Sequence, residues 1–140
     1  MMTNSTIRSV HLLLVDGSKV FRNYLREFIE LSEGVRVIGE AGNEIEAMAA
    51  CEALHPNFVL LDISVPEKGG IQIAREIKTT FPNIGIALLT EHDPAFYTIL
   101  ATSIGADAVI QKDFLAKDLP KMLNGISRHK GKRKRVRNSS

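Results

Sequence analysis

Four polar residues stand just past the ends of four apolar runs: Asp16 after His11–Val15, Asp62 after Phe58–Leu61, Thr90 after Ile84–Leu89 and Lys112 after Ala108–Gln111. If the runs are strands of one parallel sheet, their carboxyl ends open onto a common edge, where the four side chains meet around a shared ligand. Two carboxylates, a hydroxyl and an ammonium suit a metal-assisted phosphoryl group. The acids would serve Mg²⁺, and Thr90 and Lys112 would serve the phosphoryl oxygens.

The elements that must position these residues follow from hydrophobic period and punctuation, which give five strand-then-helix units and a polar tail. Val10–Val15 is a continuous apolar run, as a strand covered on both faces requires, and Ser18 can cap the helix after it. In that helix Phe21, Leu25, Phe28 and Ile29 keep the spacing of a core-facing stripe, and Glu33-Gly34 is expected to end it. Val35–Glu40 reads as the second strand, Asn43 as the cap of the second helix and His55-Pro56 as its stop. Phe58–Leu61 is the third strand, placed mid-sheet by its unbroken hydrophobicity. Residues 64–70 (Ser-Val-Pro-Glu-Lys-Gly-Gly) form a loop beside Asp62. Ile71–Thr80 is the third helix and Ile84–Leu89 the fourth strand. Pro94 is expected in the first turn of the fourth helix, and Ala108–Gln111 is the fifth strand. The last helix is expected to begin near Asp118, because Pro120 is tolerated in a first turn and breaks a helix interior. The apolar Phe96, Ile99 and Leu100 of the fourth helix fit either a core or an interface.

Such alternation predicts an α/β fold, a doubly wound parallel sheet with right-handed crossovers and helices on both faces. A chain of 140 residues suffices for one domain without metal or disulfide support, and 44% hydrophobic with 24% charged residues argues against wholesale disorder. Cys51 is the one cysteine, so an intrachain disulfide and a cysteine metal cluster are both excluded. With Ala47 and Leu54 it falls on one face of the second helix, which marks it as a buried structural thiol. No apolar run is long enough to span a bilayer and residues 1–10 lack the pattern of a secretory signal, so a cytoplasmic address is expected. The histidines His11, His55, His92 and His129 show no metal-ligand spacing, and only His92 falls near the expected site.

Charge is unevenly placed. Arg128, Lys130, Lys132, Arg133, Lys134, Arg135 and Arg137 are seven cations in a segment without acids. Removing them from a net charge of +2 leaves −5 on residues 1–127. The segment 128–140 is expected to be disordered alone. It could bind nucleic acid nonspecifically through counterion release, an acidic lipid surface, or an acidic protein patch. No aromatic residue interleaves the charges to support base stacking.

Beyond these readings, residues 8–127 resemble the receiver domain of two-component response regulators. The landmarks are Leu13-Leu14-Val15-Asp16, residues 56–63 (Pro-Asn-Phe-Val-Leu-Leu-Asp-Ile), Val65-Pro66 with Gly70, Leu88-Leu89-Thr90, Gly105-Ala106-Asp107-Ala108 and Lys112-Asp113. The resemblance implies a flavodoxin-like (βα)5 fold with strand order 2-1-3-4-5 and phosphorelay signalling rather than enzymatic turnover. Asp62 would be the phosphoacceptor, and Asp16, Asp62 and the Ser64 main-chain carbonyl the ligands of Mg²⁺. Thr90 and Lys112 would contact the phosphoryl group. The implied partners are a histidine kinase or phosphotransfer protein and an output protein of unknown identity. Lys112-Asp113 is similar to the subclass that carries helix-turn-helix output domains, although the 13 residues after Ser127 cannot hold one, which suggests a stand-alone receiver.

Three departures from the family pattern shape the expectations. Receivers carry an acidic pair after the first strand, where this chain has Asp16-Gly17, so Mg²⁺ affinity is expected to be weakened. The glycine reads as a turn residue favoured for backbone freedom. The aromatic partner of the threonine falls at Val109, whose few rotamers cannot report phosphorylation by a large rotation. Glu91, where the family has a small residue, could narrow access, pair with Lys112, replace the lost ligand, or be a solvated loop residue. The alternatives are therefore a phosphate-independent pseudo-receiver that docks a protein, or a nonspecific nucleic-acid binder acting through the tail. A haloacid-dehalogenase-type phosphatase is disfavoured because the residue two beyond Asp62 is Ser64 rather than an acid, and because such enzymes place the nucleophile after the first strand rather than the third.

Overall fold

The computed structural model describes residues 9–129. Five parallel strands, β1 (Val10–Val15), β2 (Val35–Ala41), β3 (Phe58–Asp62), β4 (Gly85–Thr90) and β5 (Ala108–Gln111), form one sheet in the order β2-β1-β3-β4-β5. The helices are α1 (Lys19–Ile29), α2 (Glu44–Leu54), α3 (Gly70–Thr80), α4 (Thr98–Ile104) and α5 (Leu115–His129). Both faces of the sheet are covered, so the central strands have no polar face to present. Leu13, Val15, Val59, Leu61, Ile86 and Leu88 point to a core shared with α2, α3 and α4. Leu12, Leu14, Phe58, Leu60, Ala87 and Leu89 point to a second core beneath α1 and α5.

The helices start where local chemistry allows. Ser18 Oγ accepts from the Phe21 N–H at 3.1 Å, and Asn43 Oδ1 accepts from the Glu46 N–H at 2.9 Å, each satisfying a first-turn donor. α1 ends at Ile29, four residues before Glu33, and the turn that follows passes through Gly34 in the left-handed region. His55 closes α2 in the same region, at φ 52°. Ala47 and Cys51 are fully buried as expected, while Leu54 at the last turn is 44% exposed and reaches over Gly39.

Two helix starts differ from expectation. Pro94 lies in a separate 3-10 turn, Pro94–Phe96, and α4 begins only at Thr98. α5 begins at Leu115, after a 3-10 turn at Lys112–Phe114, so Pro120 sits inside the helix. An interior proline costs about 3 kcal/mol. Leu115, Leu119 and Leu123, at i, i+4 and i+8, are all buried, and each contributes about 1.5–3 kcal/mol, which outweighs the proline. Because α5 reaches His129, the boundary expected after Ser127 falls within it; Lys130, Lys132, Arg133, Lys134, Arg135 and Arg137 lie outside the described residues. Among the described residues no helix is long and apolar enough to cross a membrane.

One irregularity bears on the site. Leu12 pairs with Val37 but Leu13 pairs with Gly39, leaving Ile38 unmatched in β2. Beyond this bulge the alternation resets: Glu40 faces α1, where Arg22 and Arg26 bind it, and Ala41 joins the opposite core.

Candidate functional site

The carboxyl edge of the sheet gathers the four residues expected there. Asp62 closes β3 and Thr90 closes β4, Asp16 directly follows β1, and Lys112 opens the turn after β5. Asp16, Asp62 and Thr90 are 2%, 5% and 2% exposed, so their polar atoms must find partners within the protein. Asp62 Oδ1 accepts from the Ser64 N–H at 2.9 Å and from Ser64 Oγ at 3.0 Å, while its Oδ2 accepts from Lys112 Nζ at 2.8 Å. Asp16 Oδ1 accepts from the Ser18 N–H at 2.8 Å, and Thr90 Oγ1 accepts from the His92 N–H at 3.0 Å.

Close packing holds these strand ends in place. A Cβ on Gly70 would stand 2.7 Å from Ile63 Cα, so only glycine lets α3 begin so near the end of β3. On the other side Arg22 of α1 donates from Nη1 to the Asp16 main-chain carbonyl and from Nε to Glu40 Oε1 at 2.8 Å. Arg26 binds the second oxygen of Glu40 at 2.9 Å. The loop that carries Asp16 is thereby tied to both α1 and β2.

The electrostatics separate the two acids. Burial pushes the Asp16 carboxyl up to about 6, helped by the adjacent Asp62 and opposed by the Ser18 N–H and Lys112. Burial acts the same way on Asp62, but the Lys112 ammonium, Asp16 and the Ser64 N–H outweigh it and hold Asp62 below the usual carboxylate range. Lys112, despite its own burial, is raised by Asp62, then by Asp16 and Glu91. Asp62 is therefore the acid that stays ionised.

Two cavities meet at Asp62. One, of about 290 Å³, is lined by Asp16, Gly17, Ser18, Asp62, Ser64, Pro66, Glu91 and Lys112. The other, of about 120 Å³, lies against Asp62, Ile63, Ser64, Thr90, Glu91, His92 and Tyr97. Lys112 and Thr90 thus face a group on Asp62 from different sides. Exposed Glu91 lines both cavities, while Lys112 Nζ bonds to Asp62 and lies 3.5 Å from Asp16 Oδ2. Half-buried Val109 packs against the core beneath α2, α3 and α4. Gly17 does not take up a left-handed conformation, so its role is not backbone freedom; a Cβ there would stand 2.8 Å from Pro66 Cδ.

The residues present fit a divalent cation. Asp16 Oδ2 is buried with no hydrogen-bond partner, an arrangement that costs stability unless a cation approaches it. Two carboxylates and the main-chain carbonyl of Ser64 are hard oxygen donors suited to Mg²⁺. The set is sparse, because among the described residues no group of three or more His, Cys, Asp and Glu side chains converges.

Three residues at this edge escaped the reading of the sequence. The Phe21 ring centroid lies 4.2 Å from Lys112 Nζ, Arg22 holds the Asp16 loop, and Tyr97 lines the smaller cavity. A helix that starts three residues after a site acid must send first-turn side chains over the strand ends, and that signal could have found Phe21 and Arg22. Tyr97 had none, since it depends on where the 3-10 turn before α4 deposits it.

The strand order, together with acids after β1 and β3 and a lysine after β5, defines a flavodoxin-like fold of the receiver type. A sequence model of the response regulator receiver domain matches residues 12–124, and the chain belongs to that family. It is 34% identical over 110 residues to the uncharacterized transcriptional regulatory protein YhcZ of Bacillus subtilis, covering 79% of this chain and 51% of that protein. It is 28% identical over 117 residues to the DNA-binding transcriptional activator DevR/DosR of Mycobacterium tuberculosis, covering 84% and 54%. Among solved structures, a LuxR-family two-component response regulator from Aurantimonas sp. SI85-9A1 superposes with a TM-score of 0.79 at 26% identity, covering 84% of each chain. The chain spans about half the length of the curated relatives it matches.

Proposed function

We propose that this response regulator receiver accepts a phosphoryl group on Asp62, and that Asp16, Asp62 and the Ser64 carbonyl hold Mg²⁺ weakly. The observation that carries the reading is the 2.8 Å contact from Lys112 Nζ to Asp62 Oδ2, which keeps a buried carboxylate ionised at the wall of an open cavity. An ionised carboxylate oxygen is the form that attacks phosphorus. As the new O–P bond forms, the N–P bond of a phosphohistidine donor breaks and the histidine nitrogen keeps the electron pair. Lys112 then turns to a phosphoryl oxygen, and the Thr90 hydroxyl donates from the neighbouring cavity. Bound Mg²⁺ supplies charge neutralisation on the phosphoryl oxygens. Its hold is weak because Gly17 offers no carboxylate and the Lys112 ammonium already neutralises Asp62.

Receivers of two-component systems act with histidine kinases, and their response regulators act on DNA through output domains. For this chain we propose a histidine kinase or phosphotransfer protein as donor, a cytoplasmic setting and a signalling rather than enzymatic role. We assign the receiver to residues 8–129, the boundary expected after Ser127 moving to the end of α5, with a basic tail beyond it. A phosphate-independent docking module is the second reading. It is favoured by the 2.8 Å contact of Lys112 with Asp62, which neutralises that carboxylate without metal. Incubation with Mg²⁺ and acetyl phosphate, followed by intact mass, separates the two. One added phosphoryl group that is lost in Asp62→Asn supports phosphorylation. No gain in a folded protein, with an ordinary receiver labelled alongside, overturns it in favour of docking.

A further inference from the structure

Lys112 is gripped from two sides. Its ammonium bonds to Asp62 on one and lies 4.2 Å from the centroid of the Phe21 ring on the other. The lysine side chain is 15% exposed, so water does little to screen this contact with the electron-rich ring face. Phe21 is the inner member of a stack: its centroid lies 5.9 Å from that of Tyr24, which lies 6.3 Å from that of Phe28, with interplanar angles of 29° and 10°. Tyr24 is 53% exposed, so the stack runs from the site cation to the surface of α1. Val109 offers no aromatic ring on the β5 side of Thr90, so this chain's ring contact to the site comes from α1 instead.

We infer that Phe21 is a positioning residue for Lys112, and that the Phe21–Tyr24–Phe28 stack reports the state of that lysine at the exposed face of α1. The inference deepens the proposed role of Lys112 as a phosphoryl contact and rests on that reading for its purpose. When Lys112 leaves Asp62 for a new oxygen, its ammonium shifts against the Phe21 face, and the ring that rests on Phe21 is Tyr24. The element that moves is a packed stack on one helix, so the change needs no hinge.

The chain has two tyrosines, so a tyrosine-labelled protein gives two sets of ring signals in NMR, and Tyr24→Phe identifies those of Tyr24. The deciding comparison is made on the full, unmodified chain and needs no phosphate. Lys112→Gln is expected to shift the Tyr24 ring signals by more than a line width when Phe21 is present. The shift should vanish when the same substitution is made in a Phe21→Leu background. It should also vanish with pentafluorophenylalanine at 21, which keeps the ring's size and inverts its electrostatics. A Tyr24 shift that persists unchanged in either background overturns the inference, as does no shift with Phe21 present. A second arm uses acetyl phosphate and Mg²⁺ on the unsubstituted chain and stands even if Lys112→Gln fails to fold. One phosphoryl group gained by mass with a shifted Tyr24 supports the inference, and the same gain with Tyr24 unmoved overturns it. Failure to gain phosphate defeats the phosphoacceptor reading instead, and the variant comparison still decides the stack.

Discussion

Replacing Asp16 by asparagine should stabilise the metal-free protein at neutral pH, although it removes a residue of the site. Asp16 is 2% exposed, its Oδ2 has no hydrogen-bond partner, and the nearest cation, Lys112 Nζ, is 3.5 Å away and committed to Asp62. The carboxyl titrates at about 6 instead of 3.8, so between about pH 4 and 6 the folded chain holds a proton that the unfolded chain has lost. Stability therefore falls as pH rises through that window, and the full cost is present above about pH 6. A shift of roughly two units is worth about 3 kcal/mol at most; because Asp62 is pushed the other way, the net gain from Asp16→Asn should be on the order of 1–3 kcal/mol at pH 7.5. Asparagine keeps an oxygen for the Ser18 N–H, so that cap survives. By thermal unfolding in a chelator, Tm should rise by about 3–10 °C at pH 7.5, and the gain should shrink toward zero near pH 4. Saturating Mg²⁺ should reverse the order, since native-state binding adds about 2.7 kcal/mol to the unsubstituted protein at a hundredfold excess over Kd. If Asp16→Asn destabilises equally at pH 4 and pH 7.5, or if Mg²⁺ leaves the difference unchanged, the account of a strained, cation-seeking carboxylate is wrong.

Other perturbations test the frame around it. Gly17→Ala puts a Cβ 2.8 Å from Pro66 Cδ where about 3.5 Å is comfortable. It should cost about 1–2 kcal/mol in chemical denaturation, and most of that cost should disappear in a Pro66→Ala background. Gly70→Ala collides with the backbone of Asp62 and Ile63, which cannot yield as a side chain can; a loss above about 3 kcal/mol, or failure to fold, should follow in the same assay. Arg22→Ala frees the Asp16 carbonyl and leaves Glu40 to Arg26 alone. It should cost about 1–3 kcal/mol and weaken Mg²⁺ binding in calorimetry, with Arg22→Lys recovering only part because an ammonium cannot fork between carbonyl and carboxylate.

The legible parts of this chain were those set by its neighbours in sequence. Strand runs such as Phe58–Asp62 have hydrophobic residues on both faces, and each ends at the polar residue that marks the site, so Asp16, Asp62, Thr90 and Lys112 could be placed from the chain alone. Ser18 and Asn43 announced their helices because a cap acts within three residues. The reading failed where distant packing overrode a local rule. Pro120 should have marked a first turn, yet the burial of Leu115, Leu119 and Leu123 carries α5 through it. Phe96 and Ile99 fitted core or interface equally well, and both are exposed, at 76% and 82%. Phe21 looked like an ordinary core residue because its contact, Lys112, lies 91 positions away, a distance over which periodicity carries no information.

The bulge in β2 makes the site depend on the count of residues rather than on their identity. Ile38 can be exchanged for other strand-forming residues without turning Glu40 away from Arg22, because the side chain that is out of register is Ile38's own. Deleting it would restore strict alternation and leave Leu13, Leu14 and Val15 paired with Gly39, Glu40 and Ala41, so Glu40 would still face α1; a residue inserted between Gly39 and Glu40 would instead pair Glu40 with Val15 and send its carboxylate into the apolar core beneath α2, α3 and α4. Arg22 would then lose its anchor, and the Asp16 carbonyl would lose a positioned donor. Along this strand the chain should therefore tolerate drift in sequence and the loss of Ile38 but not a residue added beyond Gly39, and such an insertion, some distance from the site acids, would be felt there first.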